Sequence, residues 1–95
     1  MYGVLRAKTF ERSIRKLEKS GVMTAKLQVE INEVVKCLAL GESLPQTYSD
    51  HALKGEWIGF RECHIRGDLL LVYQIVEDRL VLVLADIGSH SYLFG

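Results

Sequence analysis

The hydrophobic positions of this 95-residue chain change their spacing about half-way along it. In the first part, apolar residues recur at intervals of three and four, as they do on one face of an α-helix. This spacing predicts a first helix that is capped by Thr9 and ends before Gly21. It predicts a second helix over residues 24–39, closed by Gly41. A short mixed segment over residues 2–8 precedes them and indicates a first strand.

The second part of the chain favours β-structure. Three segments rich in β-branched, leucine and aromatic residues are separated by turns at 66–67 and 77–79, and they predict strands over residues 57–65, 69–76 and 80–86. The run from Leu69 to Val72 is apolar at every position, which is typical of a central strand covered on both faces.

Residues 41–55 join the two parts and contain the only proline, so they indicate a long loop. The whole pattern predicts an α+β fold with one domain over residues 1–95. In this fold, an antiparallel twisted sheet of one N-terminal and three C-terminal strands carries the two helices on one face.

Composition narrows the class of protein. An apolar fraction of 48% with 25% charged residues is typical of a globular chain. No apolar run reaches the roughly 18 residues that a membrane span requires, and the first residues lack the pattern of an export signal. We therefore expect a cytoplasmic protein without a membrane contact. Cys37 and Cys63 are far apart in sequence, which favours reduced thiols over a disulfide or a zinc site. We expect both to be small buried apolar groups.

The net charge of zero conceals two oppositely charged halves. Residues 1–36 carry eight Lys/Arg and four Asp/Glu, a net of +4, and the remainder carries four and eight, a net of −4. A neutral total argues against unaided capture of free nucleic acid, which depends on phosphate neutralisation. The outer face of the first helix is nevertheless basic, either as ordinary solvated surface or as a nucleic-acid contact, through Arg12, Arg15, Lys16 and Lys19.

Three histidines, His51, His64 and His90, are the candidate catalytic groups. Imidazole titrates near neutral pH and therefore serves as general acid or base without a cofactor. Each histidine alone also has a structural interpretation, as a surface or hydrogen-bonded residue. A three-histidine zinc site is a further alternative, but the spacing lacks any local pair of ligands.

Strand alternation relates these histidines to their neighbours. It places His64 on the same face as Glu62 and places Cys63 on the other face, so Cys63 and His64 do not converge on one metal. A three-residue turn would set Asp68 opposite His64, whereas a two-residue turn would pair His64 with Leu69.

Five segments resemble, in order and spacing, the YafQ branch of the RelE-like toxins of bacterial toxin–antitoxin systems: DHALKG at 50–55, WIGF at 57–60, RECHI at 61–65, DLLLVY at 68–73 and GSHSYLF at 88–94. The order of strand, two helices and three strands matches that family's small fold over the whole chain. The resemblance implies a metal-independent endoribonuclease that cleaves messenger RNA in the ribosomal A site. It also implies a small antitoxin that wraps and neutralises the toxin.

The same resemblance implies the roles of site residues. His51, His64, Asp68 and His90 correspond to the family's acid–base group, and Phe94 to the aromatic that positions the substrate base. RNA cleavage needs one group to accept the 2′-hydroxyl proton, another to protonate the 5′-oxygen, and cations near the phosphate. We expect His90 to be one proton-transfer partner, and Asp68 or His64 to be the other.

Two departures from the family pattern affect the expected activity. Asp86 stands where many relatives carry an arginine, and Leu69 stands where some carry tryptophan. A carboxylate at position 86 would repel phosphate, which leaves Lys54, Arg61 and Arg66 as candidate cations, although Arg61 would point away from His64 on an ideal strand. The alternative function is thus a catalytically weakened or inactive relative that acts mainly by binding an antitoxin. We expect Trp57 and Phe60 to belong to the core of the sheet.

Overall fold

The computed structural model describes all 95 residues and contains one sheet and three α-helices. The helices are α1 (Lys8–Lys19), α2 (Ala25–Ala39) and α3 (His90–Phe94). The strands are β1 (Gly3–Arg6), β2 (His51–Ala52), β3 (Arg61–Arg66), β4 (Leu69–Val76) and β5 (Val81–Gly88). No helix has both the length and the apolarity that a membrane span requires.

The sheet has the order β1-β5-β4-β3-β2, so β4 is central, as its apolar sequence predicts. β3, β4 and β5 form the predicted antiparallel meander, and β2 extends it antiparallel at one edge. β1 pairs parallel with β5, so the prediction of an entirely antiparallel sheet was wrong. β1 and β5 can run parallel because two helices and three strands separate them along the chain. Hydrophobic spacing does not specify the direction of a strand.

Two short elements lie where no regular structure was predicted. The predicted loop over residues 41–55 contains β2, in which His51 pairs with Glu62 and Ala52 with Arg61. The helix α3 follows β5 directly. Conversely, residues 57–60 are not part of a strand, because the chain forms a 3-10 turn over Gly55–Trp57 and β3 starts only at Arg61.

The helix ends show one side-chain cap that was not predicted and correct the one that was. Thr24 caps α2, since its hydroxyl accepts a hydrogen bond from the Leu27 amide at 3.1 Å. Thr9 lies inside the first turn of α1, and its Oγ1 donates to the Ala85 carbonyl at 2.6 Å. The predicted Thr9 cap was therefore wrong, because this hydroxyl joins α1 to β5 instead.

The core lies between the two long helices and one face of the sheet. It contains 14 buried residues from α1, α2, β3, β4 and β5, among them Phe10, Leu27, Cys63, Leu71 and Leu82. Both cysteines are free thiols, as predicted, but only Cys63 is buried, and Cys37 is half-buried. Leu70 and Val72 are also fully buried but do not belong to this cluster, because they face the opposite side of the sheet. That opposite side carries the candidate site.

Candidate active site

The register of the sheet brings the three histidines toward one region. His51 lies directly opposite Glu62, and His64 is two residues further along β3 on the same face. His64 pairs with Leu70, which in turn pairs with Gly88, and His90 follows two residues later at the start of α3. The face opposite the long helices therefore carries His51 and His64, and α3 starts beside it.

Both ring nitrogens of His51 have hydrogen-bond partners. Nδ1 lies 2.8 Å from the Ser49 carbonyl, and Nε2 lies 3.0 Å from Oε1 of Glu62. The His51 side chain is 53% exposed, whereas that of Glu62 is 7% exposed, and Oε2 of Glu62 is buried without a partner. Sequence reasoning missed this role of Glu62, although strand alternation already placed its carboxylate on the same face as His64, a signal that could have found it.

Asp68 lies in the turn between β3 and β4, where it contacts α3. Its Oδ1 accepts a hydrogen bond from the His90 backbone amide at 3.1 Å, which satisfies an otherwise unpaired donor of the helix. His64 pairs with Leu70 rather than with Asp68 or Leu69, so neither predicted turn register was correct. An irregularity between His64 and Arg66 produces this shift. His64 Nδ1 lies 3.3 Å from the Gly67 carbonyl within the same turn.

An aromatic group borders His90. The Phe94 ring lies 5.2 Å from the His90 ring and 5.8 Å from the Trp57 ring, which it meets edge-on. Trp57 meets Phe60 in the same manner at 5.5 Å. Trp57 and Phe60 do not belong to the core cluster, so their prediction as sheet core was wrong. They support Phe94, which leaves a half-buried aromatic surface beside His90.

A hydrogen-bonded chain joins α3 to α1. The Tyr92 hydroxyl lies 2.9 Å from the Ser13 hydroxyl, which donates to Asp86 Oδ1 at 2.5 Å. The same Asp86 oxygen accepts from the Ile87 amide at 2.8 Å, and the Lys16 ammonium lies 5.1 Å from the centre of the Tyr92 ring. Asp86 is thus bound to Ser13 of α1, in a contact that orients α3.

Two of the three predicted cations are paired with carboxylates away from the histidines. Arg61 Nε lies 3.3 Å from Asp50 Oδ1, on the helix-facing side of β3. Arg66 forms an ion pair with Glu30 of α2. Lys54 is exposed and makes no side-chain hydrogen bond or ion pair. The structure therefore leaves Lys54 as the one predicted cation without a partner.

The arrangement of possible metal ligands and the protonation of the buried thiol both bear on the chemistry of the site. No group of three or more His, Cys, Asp or Glu side chains lies in an arrangement that could hold a metal ion, so the three-histidine zinc alternative lacks its ligand set. Burial, followed by the carboxylates of Asp50 and Glu62, raises the pKa of the Cys63 thiol to about 12. Cys63 consequently remains a protonated core residue at neutral pH.

Comparison with known proteins identifies the family. The family model described as the bacterial toxin of type II toxin–antitoxin system, YafQ, matches residues 2–95. The putative toxin YafQ of Haemophilus influenzae is 57% identical over 42 residues, which are 44% of this chain and 41% of that protein. The mRNA interferase toxin YafQ of Escherichia coli K12 is 38% identical over 52 residues, which are 55% of this chain and 54% of that protein. The matched region therefore spans about half the length of these curated relatives or less.

Solved structures match over the whole chain. A metal-bound toxin from Helicobacter pylori is 42% identical with a TM-score of 0.86, and the match covers 99% of this chain and 100% of that one. The E. coli DinJ–YafQ complex contains a chain with a TM-score of 0.84 and 23% identity, covering 100% of both chains, a likeness that concerns the fold alone. The resemblance found in the sequence motifs is confirmed, and the chain belongs to the YafQ family of toxins of bacterial type II toxin–antitoxin systems.

Proposed function

We propose that this protein is an mRNA interferase, an endoribonuclease that cleaves messenger RNA on the ribosome and thereby inhibits translation. One observation carries the proposal: Asp68, in the turn that follows the strand of His64, accepts a hydrogen bond from the amide of His90, the first residue of the helix that also bears Phe94. Two histidines, a carboxylate and an aromatic ring, which the proposed RNA cleavage uses, are thus present on connected elements. The name of the E. coli relative, mRNA interferase toxin, supports the same activity.

The reaction would proceed by general acid–base catalysis. One group accepts the 2′-hydroxyl proton, the 2′-oxygen forms a bond to phosphorus, and the bond to the 5′-oxygen breaks as a second group protonates that oxygen. His90 is our candidate for one of these groups, because its ring makes no hydrogen bond within the protein while its backbone is held by Asp68. Asp68 or His64 would be the other, and Phe94 would stack on the substrate base.

Few side chains of the proposed site can place positive charge beside the phosphate. Arg61 and Arg66 are engaged by Asp50 and Glu30, so Lys54 is our candidate for the phosphate contact. Asp86 already receives hydrogen bonds from Ser13 and Ile87, which reduces the repulsion that its sequence position suggests. These contacts favour an active site of reduced strength over an abolished one.

The proposed partners follow from the net charge and the family. Because the chain is neutral overall, the ribosome would have to present the message, and the basic face of α1 would contact ribosomal RNA. All four of the side chains that we assign to this contact are exposed: Arg12, Arg15, Lys16 and Lys19. We also propose a cognate antitoxin protein as the inhibitor, and a cytoplasmic location, where both partners are found.

Induction in a bacterial host, followed by mapping of message 5′ ends, tests the activity. We expect cleavage by the unmodified protein and about 10²- to 10⁴-fold less in His90→Ala, because a positioned proton-transfer group contributes that much. Ser91→Ala, which alters the next exposed residue of α3, is the matched control and should retain cleavage. Intact messages in cells that contain folded protein, or full cleavage by His90→Ala, would refute the proposal.

The alternative, a weakened relative that mainly binds its antitoxin, is favoured by the pairing of Arg61 and Arg66 with carboxylates. Under this alternative the unmodified protein binds the antitoxin but cleaves little, and Asp86→Arg raises cleavage by adding a cation. Asp86→Asn separates this gain from the mere removal of negative charge. An unmodified protein that already cleaves well would leave the alternative without support.

A further inference from the structure

The hydrogen bonds of His51 constrain which protons its ring carries. Nδ1 faces the Ser49 carbonyl at 2.8 Å, and a carbonyl oxygen can only accept. Nδ1 must therefore carry a proton. Nε2 faces Glu62 Oε1 at 3.0 Å, and an ionised carboxylate can also only accept. Both contacts are satisfied together when both ring nitrogens carry protons.

The burial of Glu62 strengthens this argument. Its side chain is 7% exposed, and Oε2 has no hydrogen-bond partner, so His51 is the only group that contacts this carboxylate with a donor. A buried carboxylate without a compensating charge is strongly unfavourable. The neighbouring Asp50 cannot share His51, because its own Oδ1 accepts from Arg61 and Tyr73 on the opposite face.

We propose that Glu62 is a positioning residue that, together with the Ser49 carbonyl, holds His51 as a fixed imidazolium cation. His51 then neither accepts the 2′-hydroxyl proton nor donates to the 5′-oxygen, because both of its N–H groups are engaged within the protein. Its positive charge, on a ring that is half exposed, is directed at the face that carries His64. This proposal rests on the proposed function. It assigns to His51 part of the positive charge beside the phosphate that Arg61 and Arg66 do not supply.

The protonation of His51 can be measured without any enzymatic assay. Imidazole ¹⁵N chemical shifts distinguish a doubly protonated ring from a neutral tautomer, and the signals of His51 are those missing from a His51→Gln variant. In the unmodified protein we expect the signals of a doubly protonated ring, because each nitrogen of His51 faces an oxygen that accepts. In Glu62→Gln, which has nearly the same shape but no charge, His51 should become neutral.

The matched control is Glu56→Gln, which removes an exposed carboxylate from the nearby 3-10 turn and should leave His51 doubly protonated. A neutral His51 in the unmodified protein would overturn the proposal, as would a doubly protonated His51 in Glu62→Gln. If Glu62→Gln fails to fold, the spectrum of the unmodified protein alone decides.

Message cleavage then tests the role of the charge. His51→Gln should lose about 10²-fold in cleavage, whereas His51→Lys, which keeps a cation, should lose markedly less. Equal losses in the two variants would contradict the electrostatic role and favour proton transfer by His51. If the unmodified protein cleaves no message, the proposed function fails, but the nitrogen spectrum still reports whether Glu62 holds His51 as a cation.

Discussion

At the scale of single residues, Gly88 determines how closely α3 can approach the sheet. A Cβ atom at this position would lie 2.4 Å from Cδ2 of Tyr92, which is closer than two carbon atoms tolerate. We expect Gly88→Ala to displace the Tyr92 ring, to break its hydrogen bond with Ser13, and to destabilise the fold by about 1–3 kcal/mol. Because α3 carries His90 and Phe94, message cleavage should fall as well. Thermal unfolding and the cleavage assay measure the two effects.

Gly3→Ala is the matched control for this change. The nearest atom to a Cβ at Gly3 is the Leu80 carbonyl oxygen at 3.9 Å, an ordinary contact, and Gly3 also lies in a strand. Its unfolding temperature and cleavage should remain close to those of the unmodified protein. A Gly88→Ala variant with the same stability and activity as Gly3→Ala would show that Tyr92 does not fix the position of α3.

At the scale of secondary-structure elements, α3 depends on contacts from outside the helix. A five-residue helix is not stable by itself, and Asp68 and Ser89 each accept one of its first amides. Asp68→Asn keeps an oxygen that can accept the His90 amide but cannot take a proton at neutral pH, whereas Asp68→Ala removes both. If Asp68 transfers a proton, both variants should lose cleavage, and only Asp68→Ala should lose amide protection in α3.

Hydrogen exchange of the α3 amides, read beside message cleavage, separates these two roles. Retained cleavage in Asp68→Asn with loss in Asp68→Ala would assign Asp68 a positioning role only. His64 would then be the remaining candidate for the second proton-transfer group.

The same dependence on distant contacts explains which elements the sequence predicted. α2 has 15 residues, enough for several turns of apolar periodicity, and its cap at Thr24 is local, so its limits were predicted almost to the residue. β2 has two residues and α3 has five, so neither displays a period. Both are stabilised by residues remote in sequence, such as Glu62 and Asp68.

The features of the candidate site also fall into two groups, those that the sequence predicted and those that it did not. The histidines, Asp68 and Phe94 were evident from their motifs, because residue type and order are properties of the chain. The pairing of Glu62 with His51 depends on the register of β2, and the pairings of Arg61 and Arg66 depend on where Asp50 and Glu30 lie in the fold. Long-range pairing of charges is not encoded in local spacing, so the free cations could not be counted from the sequence.

At the scale of the whole molecule, folding keeps two ionisable groups of the core protonated. The Cys63 thiol has an ordinary pKa of 9.0, and burial followed by the charges of Asp50 and Glu62 raises it to about 12. Burial and the hydrogen bond to Asp50 likewise raise the pKa of Tyr73 above its ordinary 10.0. Between the unfolded and folded pKa values, the unfolded chain therefore binds fewer protons than the folded chain.

It follows that stability should fall as the pH rises above about 9, by up to about 1.4 kcal/mol per pH unit for the thiol alone, with Tyr73 adding to the loss above about 10. Urea unfolding measured at about pH 8 and about pH 10 gives this slope. Cys63→Ala should be less stable at pH 8 but should lose less free energy of unfolding on going to pH 10, because its core no longer holds the thiol proton.

Cys37→Ala is the control, since it removes the other, half-buried thiol, whose pKa is also raised by burial. This variant leaves Cys63 and Tyr73 in place and should keep most of the slope. A free energy of unfolding that is the same at both pH values in the unmodified protein would mean that the core does not hold these protons.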